Sequence, residues 1–129
     1  MDTATAVRRW VDGWLRAWPV EDVEGVASLY EEDAPYRSHP FRDPETARTY
    51  AERAFGEEEL VEARFGEPVV DGERAAVEYW AVLRSREGTE LTLAGMVHLR
   101  FGADGRVAEH REYWDLEEGR RAPPPGWGR

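Results

Sequence analysis

Apolar residues in the first third of the chain recur every three or four positions, which predicts amphipathic helices. The residues that share one face of the first helix are Val7, Trp10, Val11, Trp14, Leu15 and Trp18. Pro19 ends this helix, because proline interrupts helical hydrogen bonding. A shorter second helix repeats the spacing from Val23 to Tyr30. A third begins at Asp43-Pro44, an N-cap followed by a favoured first residue, and ends at Gly56.

The second half of the chain has the composition and turn signals of β-strands. Four segments are predicted to be long strands: Leu60–Val70, Arg74–Arg86, Glu90–Phe101 and Arg106–Leu116. Asp71-Gly72 between the first two is a strong hairpin signal. A short extended segment from Asp33 to His39 precedes Pro40. Helices followed by an antiparallel meander indicate an α+β fold.

Strand alternation assigns most inward faces but not that of the last strand. In the segment from Glu90, the face with Leu91, Leu93 and Val97 is apolar and should face the helices. In the segment from Arg74, the uncharged face carries Tyr79. In the last strand both faces carry charge, His110, Glu112 and Trp114 on one and Arg111, Tyr113 and Asp115 on the other. Periodicity alone leaves these two faces undecided.

Length and composition favour one domain with one hydrophobic core. The chain has 129 residues with six tryptophans, and we expect the domain to span residues 1–119. Residues 120–129 form a Pro/Gly-rich tail, which Trp127 either anchors to the domain or leaves disordered. There is no cysteine, which excludes disulfides and thiolate chemistry.

The charge balance excludes two classes of partner. The formal net charge is −10, whereas nucleic acids and anionic membrane surfaces attract basic proteins. No segment approaches the roughly 18 apolar residues of a membrane span. Residues 1–10 do not resemble a signal peptide, so we expect a cytoplasmic protein.

Two segments resemble the NTF2-like superfamily, SnoaL-like branch: "LYEEDAPYRSHPF" after the second helix and the closing "LRFGADGRVAEHREYWDL". The resemblance covers Val7 to Leu116 and implies a cystatin-like cone, in which three N-terminal helices pack on a curved antiparallel sheet around a pocket. The superfamily includes ketosteroid isomerases, limonene-epoxide hydrolases and polyketide cyclases, together with members that only bind. The resemblance therefore implies a ligand-binding pocket but does not imply one particular activity.

The resemblance also implies which residues line that pocket. By this resemblance, the side chains of His110, Glu112 and Trp114 point into the cone. Glu112 is similar in position to the acidic catalytic residue of the epoxide hydrolases, and Tyr36 to their water-positioning tyrosine. Other positions depart from the known patterns. Compared with the epoxide hydrolases, Ser38 replaces an asparagine and Tyr79 replaces the arginine of an Arg-x-Asp pair. The catalytic positions of the ketosteroid isomerases are also occupied by other residues, namely Trp14, Ser38 or His39, and Val97. Polyketide cyclases are the closest remaining enzymatic analogy.

We therefore predict Glu112 as acid/base, His110 as its partner and Tyr36 as an orienting group. Each has a structural alternative: a paired carboxylate, a satisfied core histidine or an amphipathic wall residue. The predicted ligand-binding residues are Trp14, Ser38, His39, Tyr79, Leu91, Leu93, Val97 and Trp114. Trp10 and Trp18 are expected in the plain core. The three histidines lack metal-ligand spacing, so no metal and no cofactor is expected.

The sequence thus predicts a protein that binds a small apolar or aromatic molecule. As an enzyme it would be a cofactor-free isomerase, cyclase or hydrolase. The alternative is a non-catalytic ligand-binding or homodimeric interaction module. An exposed Trp80 on the convex sheet face would favour a homodimer through that face.

Overall fold

A computed structural model describes all residues, 1–129. The chain forms three helices, α1 (Thr3–Ala17), α2 (Val23–Ala27) and α3 (Ala47–Glu57). The strands are β1 (Tyr36–Arg37), β2 (Glu58–Phe65), β3 (Val69–Asp71), β4 (Arg74–Ser85), β5 (Glu90–Phe101) and β6 (Val107–Glu118). The predicted α+β class, with helices at the N-terminus and strands after them, is confirmed.

The start of α3 differs from the prediction. The helix begins at Ala47 and not at Asp43-Pro44. Its N-cap is Thr46, whose side chain accepts a hydrogen bond from the backbone N–H of Thr49. The reason is that Glu45 pairs with Tyr36 in an antiparallel bridge. The chain must therefore reverse direction before the helix can begin.

The sheet has six strands and is mixed, not purely antiparallel. The order is β1-β6-β5-β4-β2, with β3 also paired to β4. β1 runs parallel to β6, with Tyr36 opposite His110. The predicted hairpin at Asp71-Gly72 is confirmed, because Asp71 pairs with Arg74 and Gly72 has a φ of 61°.

The predicted strand Leu60–Val70 is two strands. β2 ends at Phe65 and β3 begins at Val69. Pro68 lies between them and has no N–H to donate to a ladder. A register shift between Leu60 and Glu62 further interrupts the pairing of β2 with β4. Such bulges bend a strand, which suits a sheet that must curve around a core.

The hydrophobic core lies between α1 and the inner face of the sheet. Val7 and Trp10 from the predicted face of α1 are buried, as are Val97 and Leu99 from β5. The structure also resolves the two faces of β6. Glu112 points inward with 7% of its surface exposed, whereas Tyr113 is 49% exposed.

The C-terminal tail packs on the convex face of the sheet. Trp127 contacts Trp80 edge to face, with ring centroids 6.1 Å apart. The indole N–H of Trp80 donates to the carbonyl of Arg121 at 2.8 Å, and Glu67 N–H donates to the carbonyl of Gly128 at 2.7 Å. Trp80 is therefore half-buried under the tail and not freely exposed.

None of the helices has the length and apolar character needed to cross a membrane.

Candidate functional site

A cavity of about 560 Å³ lies between the helices and the concave face of the sheet. Its size falls in the range of small-molecule sites, roughly 300–1,000 Å³. Nine of its 23 lining residues are aromatic: Trp10, Trp14 and Trp18 from the first helix and its C-cap, Tyr50 and Phe55 from α3, and Tyr36, Phe65, Tyr79 and Trp114 from the sheet. Such a wall favours a flat, largely apolar ligand.

Glu112 lies in the wall of this cavity and accepts hydrogen bonds from three side chains. Oε1 accepts from the hydroxyl of Tyr36 at 3.2 Å and lies 2.8 Å from Nε2 of His110. Oε2 accepts from the hydroxyl of Tyr79 at 2.5 Å. Because each carboxylate oxygen can accept two hydrogen bonds, Oε1 is saturated and Oε2 keeps one free acceptor position.

The ring of His110 is 1% exposed, with an aromatic ring stacked on one face and a hydrogen-bond partner at each ring nitrogen. It stacks on Tyr36 with ring centroids 3.7 Å apart. Its Nδ1 lies 3.0 Å from the hydroxyl of Tyr30, which also accepts from the indoles of Trp10 and Trp14 at 2.9 and 3.1 Å. The chain of contacts from α1 to Glu112 is therefore continuous and buried.

The phenols around Glu112 hold their protons strongly. Burial raises the pKa of Tyr36 well above its ordinary value, and the charge of Glu112 raises it further. Burial is also the main cause of the raised pKa of Tyr79, followed by the charge of Glu112 and the hydrogen bond between them. These two tyrosines are suited to donating hydrogen bonds, not to giving up protons.

Charged groups lie at the cavity mouth. Arg42 is 5.3 Å from the ring centroid of Trp114 and donates to the hydroxyl of Ser38 at 3.2 Å. Glu58 lies in the wall with a buried Oε2 that has no hydrogen-bond partner. Burial, and then the charge of Glu57, raises the pKa of Glu58.

The structure brings most of the predicted site residues together. Those that line the cavity are Trp14, Tyr36, Tyr79, Leu93, Val97, His110, Glu112 and Trp114. Ser38, His39 and Leu91 are not in its wall. Ser38 is 1% exposed, and its carbonyl accepts from the indole of Trp114, so it supports the wall from behind. His39 contacts the ring of Trp114 at a steep angle, and Leu91 lies near the start of β5.

Several residues of the cavity were not predicted. Trp10 and Trp18 were expected in the plain core, yet both line the cavity. Helical periodicity assigns them to the inner face but cannot show that the space in front of them is empty. Tyr50 and Phe65 also line the cavity, and both occupy inward positions of predicted elements. The spacing of the second helix marked Tyr30 as an apolar-face position, but it could not show the role of Tyr30, which depends on contacts distant in sequence.

A metal site is not formed by the side chains of residues 1–129, since no three His, Asp or Glu residues are grouped to hold an ion.

Comparison with known proteins places this arrangement among related folds. An epoxide hydrolase similar to limonene-epoxide hydrolase, from M. tuberculosis, is 23% identical, with 86% of this chain and 84% of that chain covered and a TM-score of 0.70. SalBIII, an epoxide hydrolase/cyclase-like enzyme of pyran ring formation in the polyether salinomycin, is 17% identical, with 87% and 95% covered and a TM-score of 0.73. An isomerase-like protein from Rhodopseudomonas palustris is 12% identical, with 85% and 89% covered and a TM-score of 0.71.

A search of curated proteins finds no match. The family model of the SnoaL-like domain matches residues 7–110, which is most of the chain. Three helices on a curved sheet with an aromatic cavity between them agree with that match. The chain therefore belongs to the SnoaL-like domain family of the NTF2-like superfamily.

Proposed function

We propose that this protein is a cofactor-free isomerase, cyclase or hydrolase that acts on a small apolar or aromatic molecule, with Glu112 as the acid/base. The observation that carries the proposal is the free acceptor position on Oε2 of Glu112 in the wall of an aromatic cavity. A carboxylate in that position can remove a proton from a bound C–H or O–H group without a metal or cofactor.

The neighbours of Glu112 support this role. Tyr36 and His110 occupy Oε1, which fixes the orientation of the carboxylate. Tyr79 occupies one acceptor position of Oε2 and leaves the other free, in a side chain that lines the cavity. The aromatic wall would hold the substrate by apolar contact and exclude water, so that proton transfer takes place in a region of low dielectric constant.

The fold neighbours support this range of reactions without singling out one reaction. They are an epoxide hydrolase, an epoxide hydrolase/cyclase-like enzyme and an isomerase-like protein. All three chemistries can use one carboxylate that exchanges a proton with a small organic substrate. We propose the shared step, proton transfer at Glu112, as the function of the site.

A panel of three probes tests the proposal: styrene oxide for hydrolysis, a hydroxy-epoxide for ring closure and a cyclic β,γ-unsaturated ketone for isomerisation. Turnover of one probe by the wild type, and its loss in Glu112→Gln at unchanged probe binding, would support proton transfer at Glu112. Turnover that persists in Glu112→Gln would overturn it. Calorimetric titration of each probe measures the binding.

A second function is favoured by the saturation of Oε1: a binding protein in which Glu112 is a fixed acceptor. This alternative predicts that Glu112→Gln and the wild type bind the same probe and that neither converts it. Absence of turnover with all probes, together with retained binding, would select it over the enzyme.

We also propose a homodimer through the convex sheet face. The tail covers Trp80, so the open part of this face lies around Met96 and Tyr113, which are 44% and 49% exposed and directly paired. Light scattering coupled to size-exclusion chromatography measures the mass. A dimeric wild type and a monomeric Met96→Glu would support this interface, whereas a monomeric wild type would exclude it.

A further inference from the structure

Tyr30 lies behind the cavity and outside its wall, and it links α1 to the site. It is 3% exposed and follows α2 in the chain. Its hydroxyl oxygen lies within hydrogen-bond distance of three nitrogens: Nε1 of Trp10 at 2.9 Å, Nε1 of Trp14 at 3.1 Å and Nδ1 of His110 at 3.0 Å.

The donors and acceptors at this oxygen leave one consistent arrangement. An indole N–H can only donate, so Trp10 and Trp14 both donate to Tyr30 and occupy the two acceptor positions of its oxygen. The hydroxyl proton must then be donated to the remaining neighbour, Nδ1 of His110. Nδ1 is therefore an acceptor and carries no proton.

The other ring nitrogen completes the arrangement. A neutral imidazole carries one proton, so it lies on Nε2 and is donated to Oε1 of Glu112, 2.8 Å away. A hydrogen bond at one ring nitrogen selects between the two tautomers of a neutral histidine. Here the donor at Nδ1, Tyr30, and the acceptor at Nε2, Oε1 of Glu112, select the same tautomer.

The charged imidazolium is the competing state, because a neighbouring carboxylate favours it. Glu112 is the charged group in contact with the ring, and the other neighbours are Tyr36 on its face, Tyr30 at Nδ1 and Trp10 at its edge. A proton on Nδ1 would need an acceptor on Tyr30, where both positions are filled. The ring is buried, so water cannot replace that acceptor.

We propose that Tyr30 is a positioning residue that, together with the indoles of Trp10 and Trp14, locks His110 as the neutral Nε2–H tautomer. His110 then acts as a hydrogen-bond donor to Glu112 and does not take a proton itself. Glu112 is left as the single group of this network that gains and loses a proton. This consequence for catalysis rests on the proposed function, whereas the tautomer does not.

Nuclear magnetic resonance of protein labelled with nitrogen-15 at histidine measures the tautomer directly. In the wild type we expect His110 to show a protonated Nε2 and an unprotonated Nδ1 throughout the range in which histidines usually titrate, about pH 5 to 8. A protonated Nδ1 anywhere in this range would overturn the proposal. This measurement requires no substitution, so it does not depend on a variant that folds.

A matched pair of variants tests the cause. Trp14→Phe removes one donor and frees an acceptor position on Tyr30, so Nδ1 of His110 should become protonated as the pH falls. Trp18→Phe removes an indole from the same helix face that makes no hydrogen bond to Tyr30, so His110 should behave as in the wild type. Identical behaviour of His110 in the two variants would overturn the role of the indoles.

Tyr30→Phe completes the test, because it removes the donor to Nδ1 of His110 and leaves Glu112 accepting from Nε2. The nitrogen-15 signal of Nδ1 should move toward that of an unprotonated nitrogen without a hydrogen bond. An Nδ1 signal unchanged from the wild type would overturn the role of Tyr30. None of these measurements involves a substrate. A failure of the proposed catalysis at Glu112 and a failure of the tautomer lock would therefore be seen separately.

Discussion

The ring of Tyr79 lies directly over Gly95. Because glycine has no side chain, the phenol of Tyr79 can extend from β4 across β5 to β6. A Cβ added at Gly95 would lie 2.8 Å from Cζ of Tyr79 and 2.7 Å from Cβ of Trp114. Gly95 pairs with Tyr79 on one side and with Trp114 on the other. Only a residue without a side chain lets the phenol pass across β5 to Glu112.

Gly95→Ala should therefore displace Tyr79 from Glu112. We expect a loss of about 1–3 kcal/mol in the free energy of unfolding, the usual cost of overpacking, and weaker binding of any ligand that contacts Glu112. Urea denaturation measures the first effect. Gly56→Ala is the control, because a Cβ there would meet one side-chain atom, Nη2 of Arg86, at 3.6 Å. Equal stability of both variants would contradict the crossing role of Gly95.

Glu112→Ala and Glu112→Gln should differ in stability. Alanine leaves the donors of Tyr36, Tyr79 and His110 without an acceptor, at about 1–3 kcal/mol for each donor left unpaired in a buried site. Glutamine can keep an oxygen at the Oε1 position and donate to the Tyr79 oxygen from its amide. We expect Glu112→Gln to retain most of the stability, and equal losses in chemical denaturation would contradict this network.

Stability should fall at alkaline pH because of the buried phenols. Burial raises the pKa of Tyr30, Tyr36, Tyr50 and Tyr79 above the ordinary value of 10.0. An acid whose pKa is raised by folding stabilises the protein below its unfolded pKa, and that contribution disappears as the pH rises further. We expect the melting temperature to fall steeply above about pH 10. Ionisation of these phenols in a protein that stays folded, followed by ultraviolet absorbance, would contradict this expectation.

Glu58 gives a pH effect of the same sign near the acidic end. Its pKa is raised from 4.5, first by burial and then by Glu57, so the ionised form is disfavoured in the folded protein. Glu58 therefore favours the folded state at a pH below its pKa in the unfolded chain, and this contribution to the free energy of unfolding is lost as the pH rises. Glu58→Gln should therefore melt higher than the wild type at about pH 7, and the difference should narrow near pH 4.

Glu59→Gln is the matched control for this prediction. Glu59 neighbours Glu58 but pairs with Arg84 on the surface at 2.6 Å. Its substitution should not raise the melting temperature at neutral pH, because no buried charge is removed. The same increase in both variants would show that net charge, and not the burial of Glu58, is the cause.

Removal of residues 120–129 tests the proposed domain, residues 1–119, and the docking of the tail. We expect the truncated chain to fold, with a lower melting temperature because Trp80 loses its contacts with Trp127 and Arg121. Trp127→Ala alone should lower the free energy of unfolding by about 0.5–1.5 kcal/mol, the range measured for aromatic pairs. A truncated chain that is unfolded by circular dichroism would make the tail part of the domain.

The helix faces and the strand alternation could be predicted from the sequence because both depend on local spacing. Val7, Trp10 and Trp14 lie inward as their periodicity predicts, and Asp71-Gly72 forms the predicted hairpin. The parallel pairing of Tyr36 with His110 has no local signal, because the two residues are distant in the chain. The late start of α3 at Ala47 likewise follows from a pairing that local spacing does not show, the bridge between Tyr36 and Glu45.

The site was predictable in its central residues and not in its supports. The resemblance to a known family placed Glu112 and His110 on the inner face, where the structure has them. Tyr30 and Gly95 were not identified, because their roles come from what lies next to them in space. Neither a buried phenol that organises three nitrogens nor a glycine that admits a ring can be recognised from spacing alone.

Four of the six tryptophans, those at positions 10, 14, 18 and 114, line the cavity. Their indoles would change emission when a bound molecule packs against them. The protein thus carries an intrinsic fluorescent reporter in the place where an unknown ligand would bind. Mixtures of metabolites can therefore be screened against the unlabelled chain, with no prior guess about the compound and no engineered probe.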